Sequence, residues 1–447
     1  MKISVIGTGY VGLVGAVGFA EQGHDVVCVD IDADKVDMIN DGRSPIHEDG
    51  LDELLARNIG TSLKATTDLD TAVRSTELSL IAVGTPFDGE QIDLKYIRQV
   101  SRQIGEVLKS KDDYHVVVVK STVVPGTTDN VVTPILEEAS GKKAGVDFGV
   151  GMNPEFLREG VAVDDFMNPD RIVLGGIDAR TQDVLARVYA SFSDTDVIKT
   201  GNSTAELIKY TANSLLATMI SFSNEIANLS TAIGGVDIVE VMQGVHTDKR
   251  LMPIDNNGNR IKPGFVSYLE SGCGFGGSCF PKDVKALIAH GESLGENMSL
   301  LNAVIEINEL QPYKVIDLLK KHFDSLSGLK VSVLGLAFKP GTDDMRESPA
   351  IKIVNELIAA GSSLRAFDPV ARSEAEKLFD AKSITYGDAI EDVIADADAL
   401  LILTRWELFN DLPAMLGKLD TQPLVIDARR MLDSDATQRY DGIGYPN

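Results

Sequence analysis

Lys2-Ile-Ser-Val-Ile6 is a short apolar run that breaks on Gly7-Thr-Gly9-Tyr10-Val11-Gly12. Leu13 to Gln22 then has helical composition, and a second run, Asp25-Val-Val-Cys-Val29, ends on Asp30, eighteen residues after Gly12. Three glycines alone would mean little. Strand, glycine turn, helix, strand and terminal acid together form a dinucleotide fingerprint in its required context. Gly7 turns the chain, Gly9 lets backbone approach a pyrophosphate, and Gly12 allows helix to pack closely on strand. The helix start then presents N–H groups to the phosphates. Asp30 would accept hydrogen bonds from the adenosine ribose and repel a 2′-phosphate, so the expected cofactor is NAD rather than NADP. Lys35 would soften that preference slightly, unless it is simply a solvated surface lysine.

The alternation continues outward. Leu78–Val83 closes on Gly84-Thr85-Pro86, Val116–Val119 closes on Lys120-Ser-Thr122, and Phe148–Met152 leads into Asn153-Pro-Glu155-Phe156-Leu157-Arg-Glu159. In a doubly wound sheet, ligands bind beyond the carboxyl ends of the strands. That position singles out Thr85, Thr122, Glu155 and Glu159. The two glutamates are four apart, so on a helix they would share a face; acids complementing a helix dipole are the other reading. From Ser203 to about Gly234 the chain has no internal glycine or proline, which predicts one long helix. Ser203 or Thr204 would cap it, Glu206 sits in its first turn, and its surface suits a dimer. Lys209 and Asn213 share one of its faces, the lysine either reaching a ligand or snorkelling to water. Val245–Gly264 reads as a long polar loop, and Met298–His322 as a helical region kinked or broken at Pro312.

The second half echoes the first. Leu329–Gly335, Leu364–Asp368, Ala399–Thr404 and Leu424–Asp427 read as strands of another parallel sheet. The expected fold is therefore α/β, with two Rossmann-like doubly wound parallel-sheet domains joined by a long central helix. The expected boundaries are 1–200, 201–322 and 323–447. The second sheet lacks a GxGxxG. Lys339, Arg346, Arg365, Arg405, Arg429 and Arg430 lie near its strand ends, a basic island suited to a phosphorylated ligand; singly, each arginine reads as a surface charge.

Chemistry enters with Gly274-Phe-Gly276-Gly-Ser-Cys279-Phe-Pro-Lys282-Asp283. Pro281 suits the first position of a helix, which puts Cys279 just before a helix start with Lys282 close by. Dipole and lysine both favour thiolate, the reactive form. A small buried cysteine in a glycine-rich loop is the alternative. Combined with a dinucleotide site, a thiolate suggests oxidation of an alcohol to an aldehyde, capture as a thiohemiacetal, and a second oxidation to a thioester. Hydrolysis then needs a base, and Glu155 and Asp283 are the available acids.

Composition bounds the partners. At 447 residues, with 44% hydrophobic and 24% charged, the chain has the profile of a multi-domain soluble protein. It lacks a continuous apolar span of membrane length, and its start lacks a signal-peptide pattern. Three cysteines fit a reducing compartment, so a cytoplasmic location is expected. Six scattered histidines have no metal-ligand spacing, and no metal is expected. A formal net charge of −25 argues against nucleic acid or an acidic membrane as partner, and suits a salty or solubility-demanding habitat.

Over essentially its whole length the chain resembles the nucleotide-sugar 6-dehydrogenases, the UDP-glucose/GDP-mannose dehydrogenase family. The resemblance rests on Gly7–Gly12, Val83–Pro86, Lys120–Thr122, Asn153–Gly160, Asn168–Val173, Glu206–Asn213, Gly274–Asp283, Gly335–Lys339 and Arg346–Ser348. It implies a cytoplasmic homodimer that uses NAD to oxidise UDP-glucose to UDP-glucuronate, serving polysaccharide synthesis. The same chemistry on GDP-mannose or a UDP-acetamido sugar, a two-electron alcohol dehydrogenase, and a non-catalytic nucleotide-sugar binder are the alternatives. The resemblance further implies Cys279 as nucleophile, Lys209, Asn213 and Asp283 around the oxyanion and water, Glu155 in thioester hydrolysis, and Thr122 holding water. Substrate would meet Glu155, Phe156, Leu157, Lys209, Asn213, Tyr268, Gly276, Lys339 and Arg429, with Arg250 lent by the partner subunit. The cofactor would meet Gly7, Gly9, Tyr10, Val11, Gly12, Asp30, Lys35, Thr85, Thr122, Glu159, Lys282 and Arg346. Arg250-Leu-Met stands where the family has Arg-Ile-Gly, with an insertion at Pro253–Pro263, and Asp427-Ala-Arg429 stands for Asp-Gly-Arg. Gly141–Gly151 resembles the GDP-mannose branch, whereas Ser278–Lys282 favours the UDP-glucose branch over the acetamido-sugar branches.

Overall fold

The computed structural model describes residues 1–446 and divides them into two compact units, Met1–Ala212 and a second beginning at Asn213. The first unit is built on eight strands. They are β1 (Lys2–Ile6), β2 (Asp25–Val29), β3 (Leu63–Thr66), β4 (Leu78–Ile81), β5 (His115–Val119), β6 (Phe148–Met152), β7 (Arg171–Gly176) and β8 (Asp196–Thr200). Their spatial order is β3-β2-β1-β4-β5-β6-β7-β8. All neighbours are parallel except β6 and β7, which pair antiparallel through Gly151↔Gly176 and Met152↔Gly175.

The strands are apolar because both faces of the sheet are covered. Along β1, β2 and β5 the side chains alternate between two cores. Ile3, Val5, Val26, Cys28, Val116 and Val118 lie in one, and Ile6, Val27, Val29, Val117 and Val119 in the other. The sheet reverses direction between β1 and β4, so a crevice opens beyond their carboxyl ends, the usual ligand position. Helix α1 (Tyr10–Glu21) follows β1 directly.

The second unit contains β9 (Lys330–Leu334), β10 (Ser363–Phe367), β11 (Ile384–Tyr386), β12 (Ala399–Ile402), β13 (Leu424–Asp427) and β14 (Tyr440–Gly442), ordered β11-β10-β9-β12-β13-β14 and parallel throughout. It repeats the turn chemistry of the first. Gly335 has φ +86°, and a Cβ there would press on Thr404, just as Gly7 has φ +98° and faces the Ala82 carbonyl. Asp368 accepts the Leu336 and Ala337 N–H groups at 2.7 and 3.2 Å, as Asp30 accepts that of Thr8 at 2.8 Å.

Helix α2 (Asn202–Ile233) carries the chain from the first unit into the second. It begins one residue earlier than expected, so Ser203 and Thr204 lie in its first turn rather than capping it, and Ser203 Oγ donates to Asp129. Helix α3 (Phe280–Ser293) has Pro281 as its second residue, not its first. Helix α4 (Ser299–His322) runs unbroken through Pro312. Burial of Gln311, Pro312, Val315, Ile316 and Leu319 compensates there for the one helix bond a proline cannot make. The expected helical turn linking Glu155 to Glu159 is absent: residues 153–158 are irregular and helix resumes only at Ala162–Met167. Pro154 favours an extended conformation at Asn153, which opposes helix there. Among the described residues no helix is long and apolar enough to cross a membrane.

Candidate active site

In the first unit the fingerprint has the geometry a dinucleotide needs. A Cβ on Gly12 would lie 1.9 Å from the Gly7 carbonyl oxygen, so only glycine fits. Gly9 is the N-cap of α1 and carries no side-chain cap, and no acid stands in the helix's first turn. A Cβ on Gly9 would meet nothing within 4 Å. The start of α1 therefore keeps its positive end and donor groups for an anion, and these residues fit NAD. Asp30 accepts the N–H and hydroxyl of Thr8 at 2.8 and 2.6 Å and the Asp32 N–H at 3.1 Å. Burial alone would raise its carboxyl, but these bonds and nearby Lys35 leave it below the ordinary carboxylate value. Val11 is half-buried, and Tyr10 turns its hydroxyl to Glu48. Glu48 also accepts the Gly160 and Ala162 N–H groups at 2.7 and 2.6 Å. Burial, then Glu48, pushes the Tyr10 phenol far up. Glu159 adds to that rise, which places it beside Tyr10 rather than on a face shared with Glu155.

Beyond the strand ends, Thr85 Oγ1 donates to the Thr122 carbonyl at 2.7 Å, joining the chain after β4 to the chain after β5. Glu155 and Lys209 form an ion pair of 3.0 Å with side chains only 6% and 5% exposed, so this lysine does not reach for water. Leu157 donates its N–H to Glu155 at 2.6 Å. The Phe156 ring lies 3.7 Å from the Arg171 guanidinium carbon and 5.5 Å from Lys209 Nζ. Glu206 does more than complement a dipole. It accepts Gly126 N, Thr128 N and Thr128 Oγ1 at 2.6, 2.8 and 2.6 Å, latching the loop that follows Thr122.

In the second unit Cys279 is the N-cap of α3 and half-exposed. Asp283, one turn on and 1% exposed, accepts from Asn213 Nδ2 at 2.7 Å and pairs with Lys282 Nζ at 2.5 Å. Lys282 thus pairs with Asp283 as well as lying three residues after Cys279. The loop before Cys279 is clamped from several sides. Asn224 and Gln311 hold the Gly272 N–H and carbonyl, both at 2.8 Å, and Asn308 holds both backbone groups of Phe275. A Cβ on Gly276 would lie 2.3 Å from the Glu347 carbonyl oxygen, and Gly277 donates to the Arg346 carbonyl at 2.8 Å. Tyr268 stacks near Phe280, with ring centres 6.2 Å apart.

Arg429 donates to the Leu403 and Gly274 carbonyls at 2.7 and 3.1 Å, tying the end of β12 to the cysteine loop. Lys339 lies beside Phe338, Arg346 pairs with Asp344 at 2.8 Å, and exposed Arg250 pairs with Asp248. Arg430 leaves the basic island: its buried guanidinium pairs with Asp237 at 2.8 Å. Burial pushes the Cys28 thiol up to about 12 and raises that of Cys273 as well, so neither suits a nucleophile. Among the described residues no cluster of His, Cys, Asp or Glu could hold a metal.

Sequence reasoning gave no role to Glu48, Lys120, Asn224, Asn308 and Gln311. Lys120 alone carried a signal, as a lysine directly ending a run of four valines. The buried amides look like ordinary helix residues until the loop they hold is seen.

Three family models cover the chain: the NAD binding domain of the UDP-glucose/GDP-mannose dehydrogenase family over residues 1–193, its central domain over 203–310 and its UDP binding domain over 332–434. The chain belongs to that family. It is similar to a UDP-glucose 6-dehydrogenase of Haloferax volcanii, 44% identical over 100% of this chain and 99% of that one. It is as similar to a GDP-mannose 6-dehydrogenase of Pseudomonas syringae pv. tomato, 44% identical over 99% of this chain and 100% of that one. A UDP-glucose dehydrogenase from Pyrobaculum islandicum shares its fold with a TM-score of 0.89, 38% identity, and coverage of 99% of this chain and 97% of that one. As a UDP-glucose/GDP-mannose dehydrogenase family member, the protein is an NAD-dependent oxidoreductase of nucleotide sugars with a nucleotide-binding second sheet.

Proposed function

We propose that this family member oxidises UDP-glucose to UDP-glucuronate, removing four electrons at C6. The observation that carries the chemistry is Cys279 capping α3 one turn from buried Asp283. The likeness to the Pyrobaculum islandicum UDP-glucose dehydrogenase supports the sugar. GDP-mannose is the second reading, supported by the equal identity to the Pseudomonas enzyme and by the wording of Gly141–Gly151. The three segments 1–200, 201–322 and 323–447 would then serve cofactor, active site with dimer surface, and nucleotide sugar.

NAD, when bound, supplies the hydride acceptor for both oxidations. Gly7, Gly9 and the α1 start would hold its pyrophosphate and Asp30 its ribose. Tyr10, Val11, Lys35, Thr85, Glu159, Lys282 and Arg346 are the further assigned contacts. Cys279 Sγ adds to the aldehyde carbon, giving a thiohemiacetal whose oxygen Lys209 and Asn213 stabilise. Loss of hydride from that carbon leaves a thioester. Water then adds, helped by Glu155 and Asp283 and held by Thr122, and expels the thiolate. One water is consumed, and the alcohol leaves as a carboxylate. Phe156, Leu157, Tyr268, Gly276, Lys339 and Arg429 hold the sugar nucleotide. Arg250 reaches it from a second copy, docked through the exposed face of α2 that carries Leu215, Phe222 and Leu229. The deciding experiment is cofactor reduction with NAD and, in turn, UDP-glucose, UDP-N-acetylglucosamine and GDP-mannose. Reduction with GDP-mannose alone would reverse the choice of sugar.

Two further outcomes follow from these assignments. Wild type should prefer NAD strongly over NADP, and Asp30→Ala should narrow the ratio of kcat/KM values, because the carboxylate that repels a 2′-phosphate is gone. Equal efficiency in wild type would reject the role. Lys339→Ala should raise the sugar-nucleotide KM well above any change for NAD. Arg429→Ala should do so and lower kcat too, since its guanidinium also holds the Gly274 carbonyl. A change confined to NAD would refute both.

A further inference from the structure

Lys120 follows the apolar strand β5 and is only 4% exposed. Its Nζ donates to Asn153 Oδ1 at 2.9 Å and to the Tyr189 hydroxyl at 3.4 Å. The Tyr189 hydroxyl donates to the same Oδ1 at 2.5 Å, and Asn153 Nδ2 donates to the Val173 carbonyl at 2.9 Å. Both ends of the Asn153 amide are therefore fixed. Glu155 lies two residues on, across the stiff step of Pro154. Lys120, Asn153, Glu155, Phe156, Arg171 and Tyr189 line one small cavity.

A tether between neutral oxygens needs no charge, and burying an ammonium for that purpose is costly. The charge has a better use. We propose that Lys120 is a positioning residue for Glu155: it fixes the segment Asn153-Pro154-Glu155 and supplies a second cation, beside Lys209, in the cavity that holds the carboxylate used in thioester hydrolysis. This rests on the reading of Glu155 given above.

The groups facing Lys120 make the sign definite. Glu155 comes from the segment after β6, Lys209 from α2 and Tyr189 from the chain after β7, while Asp165, Asp170 and Arg171 also line the cavity. Gly15 of helix α1 lies against the lysine stem. Burial pushes Lys120 down to about 8, with Glu155 opposing the fall and Lys209 adding to it. Near neutral pH the ammonium is still mostly charged. Removing it takes away both the cation and the bond that fixes the Asn153 amide, two residues before Glu155.

The test uses the full chain with NAD and the nucleotide sugar that wild type turns over. Lys120→Met should release two NADH per site rapidly and then run at least tenfold slower, with a substrate adduct on Cys279 in the mass of the quenched protein. The KM for NAD should stay within twofold of wild type, so that the loss falls on kcat. Lys120→Arg keeps the cation and should restore most of the rate and clear the adduct. A folded Lys120→Met without burst or adduct would overturn the proposal and leave a structural lysine. If Lys120→Met does not fold, Tyr189→Phe loosens the same Asn153 amide and should show the burst and adduct with a smaller loss of rate; their absence there is equally fatal. A wild type yielding one NADH per sugar and free aldehyde would instead remove the thioester reading itself, and Lys120's role with it.

Discussion

Cys279→Ala should form no carboxylate, with turnover to acid falling by roughly 10⁴-fold or more, the scale seen when a covalent nucleophile is removed. The expectation comes from position. Cys279 is the N-cap residue of α3, where the helix dipole favours the thiolate. Its loop is held by Asn224, Asn308, Gln311 and Arg429 through backbone groups of Gly272, Gly274 and Phe275. None of those bonds involves the sulfur, so the variant should fold and still bind NAD and nucleotide sugar. Wild type should reduce two NAD per sugar and release no aldehyde to a trap. Cys28→Ala is the matched control, a fully buried core thiol on β2 whose loss should cost about 1 kcal/mol of packing and leave stoichiometry alone. Acid formation by Cys279→Ala at near wild-type rate, or one NADH per sugar in wild type, would make Cys279 a structural residue.

The parts of the fold legible in the sequence were those under strong local constraint. Gly7 and Gly12 have no substitute at their contacts, and β1, β2, β5 and β6 are buried on both faces, so their pattern is plain. β8 escaped because it is an exposed edge strand, Asp196-Val-Ile-Lys-Thr200, with little apolar pattern. β3, β11 and β14 are only three or four residues long. Glu155 and Lys209 were singled out separately, but the ion pair between them spans 54 residues of chain, and no spacing rule reaches that far. The Asn153–Glu159 error has the opposite origin. An i,i+4 spacing was read as helix, although Pro154 opposes helix at the residue before it. Lys282 shows a third limit. Its charge was read toward the thiol alone, and the spacing gave no sign that the adjacent Asp283 carboxylate pairs with it at 2.5 Å.

The Glu155–Lys209 pair should also dominate the stability of the first unit, and unequally. Both side chains are almost fully enclosed, so breaking the pair strands a charge that water cannot reach, at a cost of about 3–5 kcal/mol. Lys209→Met leaves the Glu155 carboxylate with Lys120 as a remaining cation, so its loss should fall at the lower end. Glu155→Gln leaves Lys120 and Lys209 together without the carboxylate that pairs with Lys209, so its loss should fall at the upper end. The double variant should be less destabilised than the two losses added, by roughly 0.5–3 kcal/mol of coupling. The pH dependence distinguishes the two single variants. Lys120 titrates at about 8 in the fold against an ordinary 10.5, so the unfolded chain binds more protons between those values and stability rises with pH there. Without Glu155 the ammonium loses the carboxylate that opposes its fall, the fold's affinity for that proton drops further, and the rise should start below pH 8. Urea denaturation at pH 7 and pH 9 therefore should show Glu155→Gln recovering at the higher pH more than wild type gains, and Lys209→Met recovering less. Equal losses for the two variants, unchanged between the two pH values, would mean that the three charges do not act as one cluster.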